Sequence, residues 1–160
     1  MSTTTPYESI GQVKGNEMII SRTFDAPREL VFEAWTDANH LVHWWGPNGF
    51  TLTTKSAEIR PGGEWRFIMH GPDGRNYPNR IVFQEIVRPE RLVYAHSGEE
   101  ADEVHFNTTV TFEAKGERTL LTMRAVFPSA EALQHVIKEF HALEGGKQHL
   151  GNLADYLQKM

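Results

Sequence analysis

A chain of 160 residues has room for one domain, and a core of that size buries about 70% of the unfolded surface without staples. Its apolar share of 39% and charged share of 23% are those of a globular domain, and the lack of cysteine excludes disulfides, thiolate zinc sites, iron–sulfur clusters and a cysteine nucleophile. A net charge of −5 argues against a binder of nucleic-acid backbone. No apolar run reaches the roughly 18 residues of a membrane span, and the first residues lack the pattern of a secretion signal, so a cytoplasmic location without membrane insertion is expected.

Residues 1–16 are polar and rich in threonine, which predicts a flexible lead-in that orders towards its end, followed by a single domain over residues 17–160. The β-rich run Glu17 to Phe24 predicts the first strand. Asp25-Ala26-Pro27 then opens a helix: proline suits the first helical position, and Glu29 favours the positive end of the helix dipole. Leu30, Val31, Ala34 and Trp35 form its apolar stripe, and a second short helix over about Ala38 to Trp44 stops at Gly46-Pro47. From Phe50 to Phe127 the period changes to two, predicting about six half-buried antiparallel strands. Their breaks are Arg60-Pro61-Gly62-Gly63, Gly71-Pro72-Asp73-Gly74, Arg88-Pro89-Glu90 and Lys115-Gly116-Glu117, all with turn chemistry. After Pro128 the period returns to 3.6. Ser129 caps a helix carrying Leu133, Val136, Ile137 and Phe140, Gly145-Gly146 interrupts it, and a last helix carries Leu150, Leu153, Ala154 and Leu157. This order predicts an α+β fold, one antiparallel sheet with the helices segregated on one face.

No Gly-x-Ser-x-Gly, Walker-type glycine loop or His-Glu-x-x-His occurs. His40 and His43 stand three apart on the second helix, a spacing compatible with two metal ligands. No third ligand follows in sequence, so no metal or other cofactor is expected. Trp44 and Trp45 are expected as anchors of that short helix. What remains is a ring-rich inward face, including Trp65, Phe67, Met69, Phe106 and Val110, beneath a terminal helix. Such a face is either solid core or the wall of a pocket for an apolar ligand.

The run from Phe24-Asp25-Ala26-Pro27 to Ala34-Trp35-Thr36-Asp37 resembles the opening of the activator of heat shock protein 90 ATPase homologue family. The resemblance continues in His43-Trp44-Trp45-Gly46-Pro47, in Pro61-Gly62-Gly63-Glu64-Trp65-Arg66-Phe67, in Pro89-Glu90-Arg91-Leu92-Val93-Tyr94 and in Glu144-Gly145-Gly146-Lys147 through Leu157. That family is part of the START-like, or SRPBCC, superfamily. The resemblance implies a helix-grip fold, in which a seven-stranded antiparallel sheet wraps a long C-terminal helix around a hydrophobic cavity. It implies a small hydrophobic or aromatic ligand as partner, with two other readings. One is a cyclase-, aromatase- or hydrolase-like enzyme using a cavity histidine or carboxylate. The other is a module that stimulates a chaperone ATPase; about 16 residues precede the fold, so the extra N-terminal domain of the eukaryotic co-chaperone is expected to be missing.

The expected ligand site joins Trp65, Phe67, Met69, Phe106 and Val110 as its floor with Trp35, Trp45, Phe50 and Tyr94 at one end. Leu153 comes from the terminal helix, and Tyr77 or His149 offers a hydrogen bond. Burying about 200 Å² of apolar ligand surface would contribute about 5 kcal/mol before the costs of association. A homodimer that covers a sheet face or edge is a further expectation.

Overall fold

The computed structural model describes residues 8–97 and 104–160. Two strands open it, β1 (Ile10–Lys14) and β2 (Glu17–Phe24), followed by helices α1 (Arg28–Thr36) and α2 (Ala38–Trp44). Six strands come next: β3 (Thr51–Ala57), β4 (Glu64–His70), β5 (Asn76–Val87), β6 (Arg91–Ser97), β7 (Val104–Lys115) and β8 (Arg118–Val126). Helices α3 (Ala130–Phe140) and α4 (Ala142–Leu157) complete the chain. All strands pair antiparallel in one sheet ordered β1-β2-β8-β7-β6-β5-β4-β3. The α+β class is therefore as expected, with eight strands rather than seven. The added strand, β1, lies inside the segment read as a lead-in and completes a hairpin on β2 through Gly15, whose φ of 58° suits the tight turn.

Register decides which residues meet. Strand alternation puts Ile20, Met123, Val110 and Leu92 side by side across β2, β8, β7 and β6. On the other half, Tyr94, Phe83, Trp65 and Ile81 continue the same inner face. This face is covered by α4, whose Leu150 and Leu153 are fully buried. The α1–α2 unit bridges the span from β2, near one edge, to β3 at the other. It drives Val31, Phe32, Ala34, Trp35 and Leu41 into the same core. Thr119, buried at the start of β8, donates from Oγ1 to the Ala26 carbonyl at 2.7 Å and ties the entry of α1 to the sheet.

The helix break differs from the expectation. It falls at His141, which adopts a left-handed conformation with φ 53°, and Gly145 and Gly146 lie inside α4. The reason is packing: a Cβ on Gly146 would collide with Cδ1 of Ile20, so the missing side chain lets α4 settle directly on β2. Glycine costs a helix interior about 1 kcal/mol, and at Gly146 this close approach works against that cost. Ser129 caps α3 as the sequence implies, its Oγ accepting from the Ala132 N–H at 3.0 Å.

Candidate functional site

The space between sheet and helix is occupied by rings. Trp45 follows the last turn of α2 and reaches inward, with its ring centre 4.5 Å from His149, 5.0 Å from Trp65 and 6.0 Å from Trp35. Trp65 stacks on Phe67 at 3.8 Å and donates its indole N–H to Thr54 Oγ1 at 3.1 Å. The gap left among Trp35, Leu41, Trp45, Trp65, Ile81, Phe83 and Tyr94 is too narrow to hold a water molecule. Tyr94, sealed inside, has its phenol pushed up by burial, against the hydrogen bonds it shares with Thr108 and Trp35. Trp35, Trp45, Trp65, Tyr94, Val110 and Leu153 thus form one closed core in this structure.

His149 sits at the heart of this cluster, on α4, with its ring within 5.6 Å of the centres of Trp35, Trp44 and Trp45. Its Nδ1 accepts a hydrogen bond from the Gly46 N–H at 2.9 Å, which places the ring proton on Nε2. Burial, helped by the nearby His96, pushes its pKa down to about 3, so the imidazole is neutral. Gly46 is held twice, because Asn152 Nδ2 donates to its carbonyl at 2.9 Å. Next to it, the Asn48 N–H donates to Gln148 Oε1 at 3.1 Å. Three side chains of α4 therefore clamp the loop that leaves α2. Gly46 has φ 102°, and a Cβ there would stand 2.5 Å from Met69 Cε. Gly46→Ala is expected to cost about 1–3 kcal/mol through backbone strain and overpacking. Urea denaturation checks this; an unchanged midpoint would show that the loop yields without loss.

Towards the ends of β4 to β7 the sealed core gives way to half-buried side chains. Register sets Met69 beside Tyr77 and Phe67 beside Asn79. Ile81 stands beside His96, and His96 beside Phe106. His96 Nε2 and Asn79 Oδ1 are 2.7 Å apart, and Asn79 Nδ2 donates to the Tyr77 carbonyl at 2.8 Å. The His96 ring lies 4.8 Å from that of Phe106, which stacks on Phe127 at 4.8 Å. Phe50 lies 6.0 Å from Tyr77, whose hydroxyl turns to Asp73 in the β4–β5 turn. The expected residues thus fall into two groups. Phe50, Met69, Tyr77 and Phe106 belong to this half-buried band, and Phe67 links it to the closed core. Of the two expected hydrogen-bonding groups, His149 is buried among the rings, and the half-buried Tyr77 turns its hydroxyl to Asp73.

His96 and Asn79 were not among the expected site residues. The signal was available, because His96 is in phase with Leu92 and Tyr94, and Asn79 with Ile81 and Phe83. His40 and His43 do not converge on a metal: His40 Nδ1 meets the Tyr156 hydroxyl and His43 stacks on the Tyr156 ring at 5.6 Å. Among the described residues no three histidine or acidic side chains gather as metal ligands. A separate open groove of about 360 Å³ lies outside the core, lined by Glu33, Thr36, Asp37, Ala57, Ile59 and Arg88, among others. Among the described residues no helix is long and apolar enough to cross a membrane.

Comparison with known proteins agrees with this architecture. A solved protein from Arthrobacter aurescens superposes with a TM-score of 0.85 at 27% identity, covering 98% of this chain and 94% of its own. A protein from Mycobacterium smegmatis gives 0.83 at 24% identity, over 95% and 97% of the two chains. The AHSA1 protein from Silicibacter pomeroyi gives 0.68 at 21% identity, over 89% and 98%. A search of the curated proteins finds no match. Residues 25–158, from just before α1 to just after α4, match the family described as Activator of Hsp90 ATPase homolog 1-like protein, and the chain belongs to that family.

Proposed function

We propose that the protein binds a small, largely apolar or aromatic molecule between the sheet and α4, taken up from the half-buried band on β4 to β7. The observation that carries this reading is the change along one inner face from sealed rings to a rim that mixes rings with hydrogen-bonding groups: Met69, Tyr77, Asn79, His96 and Phe106. Apolar walls with a few placed polar groups are the usual make-up of a ligand site. Uptake requires room, because the core is closed in this structure. The part that yields is the loop after α2, held by Asn152, His149 and Gln148. Among the described residues it is tied to α4 through three side chains alone, and its Gly46 rests on the flexible Met69.

The uncharged fluorescent probe N-phenyl-1-naphthylamine tests this. Its emission is expected to rise on titration with the protein, and Phe106→Asp, at a half-buried position, is expected to weaken that binding at least tenfold while the circular dichroism spectrum stays unchanged. Equal binding by the variant, or none by either protein, would sink the proposal. A second reading, a module that docks on a chaperone and stimulates its ATPase, is favoured by the closed interior and by the name of the family. Its expected signature is a faster heat shock protein 90 ATPase on addition of the protein, with Phe106→Asp as active as the parent.

A further inference from the structure

We infer that the molecule taken up between the sheet and α4 is uncharged: an aromatic or alicyclic compound with isolated hydrogen-bonding groups and no carboxylate, phosphate or ammonium. This rests on the reading above, that the interior is the binding site.

The argument is one of counter-ions. Strand alternation brings to the inner face of β4 to β8 a set of side chains that includes Phe67, Asn79, Tyr94, His96, Thr108 and Met123. Among the described inner-face positions of those strands there is no lysine, arginine, aspartate or glutamate. Arg66, Arg80 and Arg124 stand on the outer face, where Glu64 and Glu17 pair with them. Residues 1–7 and 98–103 contain no lysine or arginine, and the second of these segments carries four acids.

Elsewhere on the helix-facing side, Arg88 lies over the Phe32 ring of α1, and two further cations stand near α4. Lys147 lies beside Gly11 of β1. Arg22 of β2 donates from Nη1 to Ser9 Oγ at 3.1 Å, close to Gly151 of α4, and feels the charges of Asp155 and Glu8. Both belong to the β1–β2 edge, separated from the band by β8.

The polar groups that remain carry no fixed charge: His96 is the one that can act as a cation, and its Nε2 is engaged with Asn79 Oδ1. His149 Nδ1 accepts from the Gly46 N–H, a role open only to an unprotonated nitrogen. Asn79 bonds both His96 and the Tyr77 carbonyl. A ligand charge entering here would lose its hydration and meet no lysine, arginine or carboxylate among the described inner-face residues. A neutral hydroxyl, carbonyl or amide could still be satisfied, for example by the Nε2–H of His149.

Three probes on one scaffold test this at pH 8: 2-naphthalenemethanol, 2-naphthoate and 2-naphthylmethylammonium, each followed by amide shifts in the NMR spectrum of the intact protein. The alcohol is expected to bind at least tenfold more tightly than either ion, with shifts centred on Asn79, His96 and Phe106. An ion that matches or exceeds the alcohol at those residues would overturn the inference and leave the interior site standing. If none of the three moves those residues, the interior site falls, and the inference with it.

Discussion

Trp45→Ala is expected to lower the free energy of unfolding by about 3–5 kcal/mol, the range for removing a large buried ring. Trp45 is only 7% exposed, and its indole is the shared neighbour of Trp35, Trp44, Trp65, Phe67 and His149. Its removal takes away apolar burial and several edge-to-face contacts, and it leaves a hole that the surrounding rings cannot fill without leaving their own rotamers. The backbone is not the cause, because the Trp45 N–H that caps α2 on the Leu41 carbonyl is kept in alanine. For a chain of this length the loss corresponds to a melting temperature about 6–20 °C lower. The cavity should also admit benzene, giving a ligand-dependent recovery of stability that the parent lacks. A loss below about 1 kcal/mol, or no response to benzene, would show that these rings do not pack as a single cluster.

The second large effect is acid sensitivity centred on His149. Its folded pKa is about 3 against an ordinary 6.5, so between those values the unfolded chain binds a proton that the folded protein refuses. Stability from this group is complete above about pH 6.5 and falls as the pH drops towards 3, at up to about 1.4 kcal/mol per pH unit. From pH 7.5 to pH 5 the expected loss is about 2 kcal/mol. His149→Gln keeps an acceptor for the Gly46 N–H and has nothing to titrate. Its stability at pH 7.5 is expected to be lower, since the ring packing is lost, but its decline towards pH 5 should be about 2 kcal/mol smaller than the parent's. Urea denaturation at pH 7.5, 6 and 5 measures the difference, and parallel curves for the two proteins would exclude His149 as the source.

Much of the fold was legible in local patterns. The switch from a period of 3.6 to one of 2 and back follows from which side of each element is buried, and that is written residue by residue. Trp65, Phe67 and Met69 on β4, and Phe106 and Val110 on β7, fall on one inner face by alternation alone. Turn chemistry at Gly71-Pro72-Asp73-Gly74 marked the β4–β5 hairpin, where the Gly71 N–H donates to the Arg75 carbonyl at 2.8 Å. Gly145-Gly146 shows the limit: two glycines read as a helix break are helical, and the partner that makes the small size of Gly146 useful, Ile20, is more than 120 residues away in sequence.

The candidate site was less legible for the same reason. The amino-acid sequence by itself determined most of the elements, the apolar inward-facing residues and the family, since these follow from local patterns; it did not determine β1, the break between α3 and α4, or the places of Asn79 and His96. Whether the inward rings meet or leave a hollow was decided only by tertiary structure: Trp35, Trp45 and Trp65 come from separate elements and close on one another. The neutrality of His149 was likewise set from afar, by the Gly46 N–H and by an enclosure of tryptophans that no spacing rule encodes. Local periodicity chooses a side of a helix or strand, but packing volume and dielectric depend on every element that arrives at the same point.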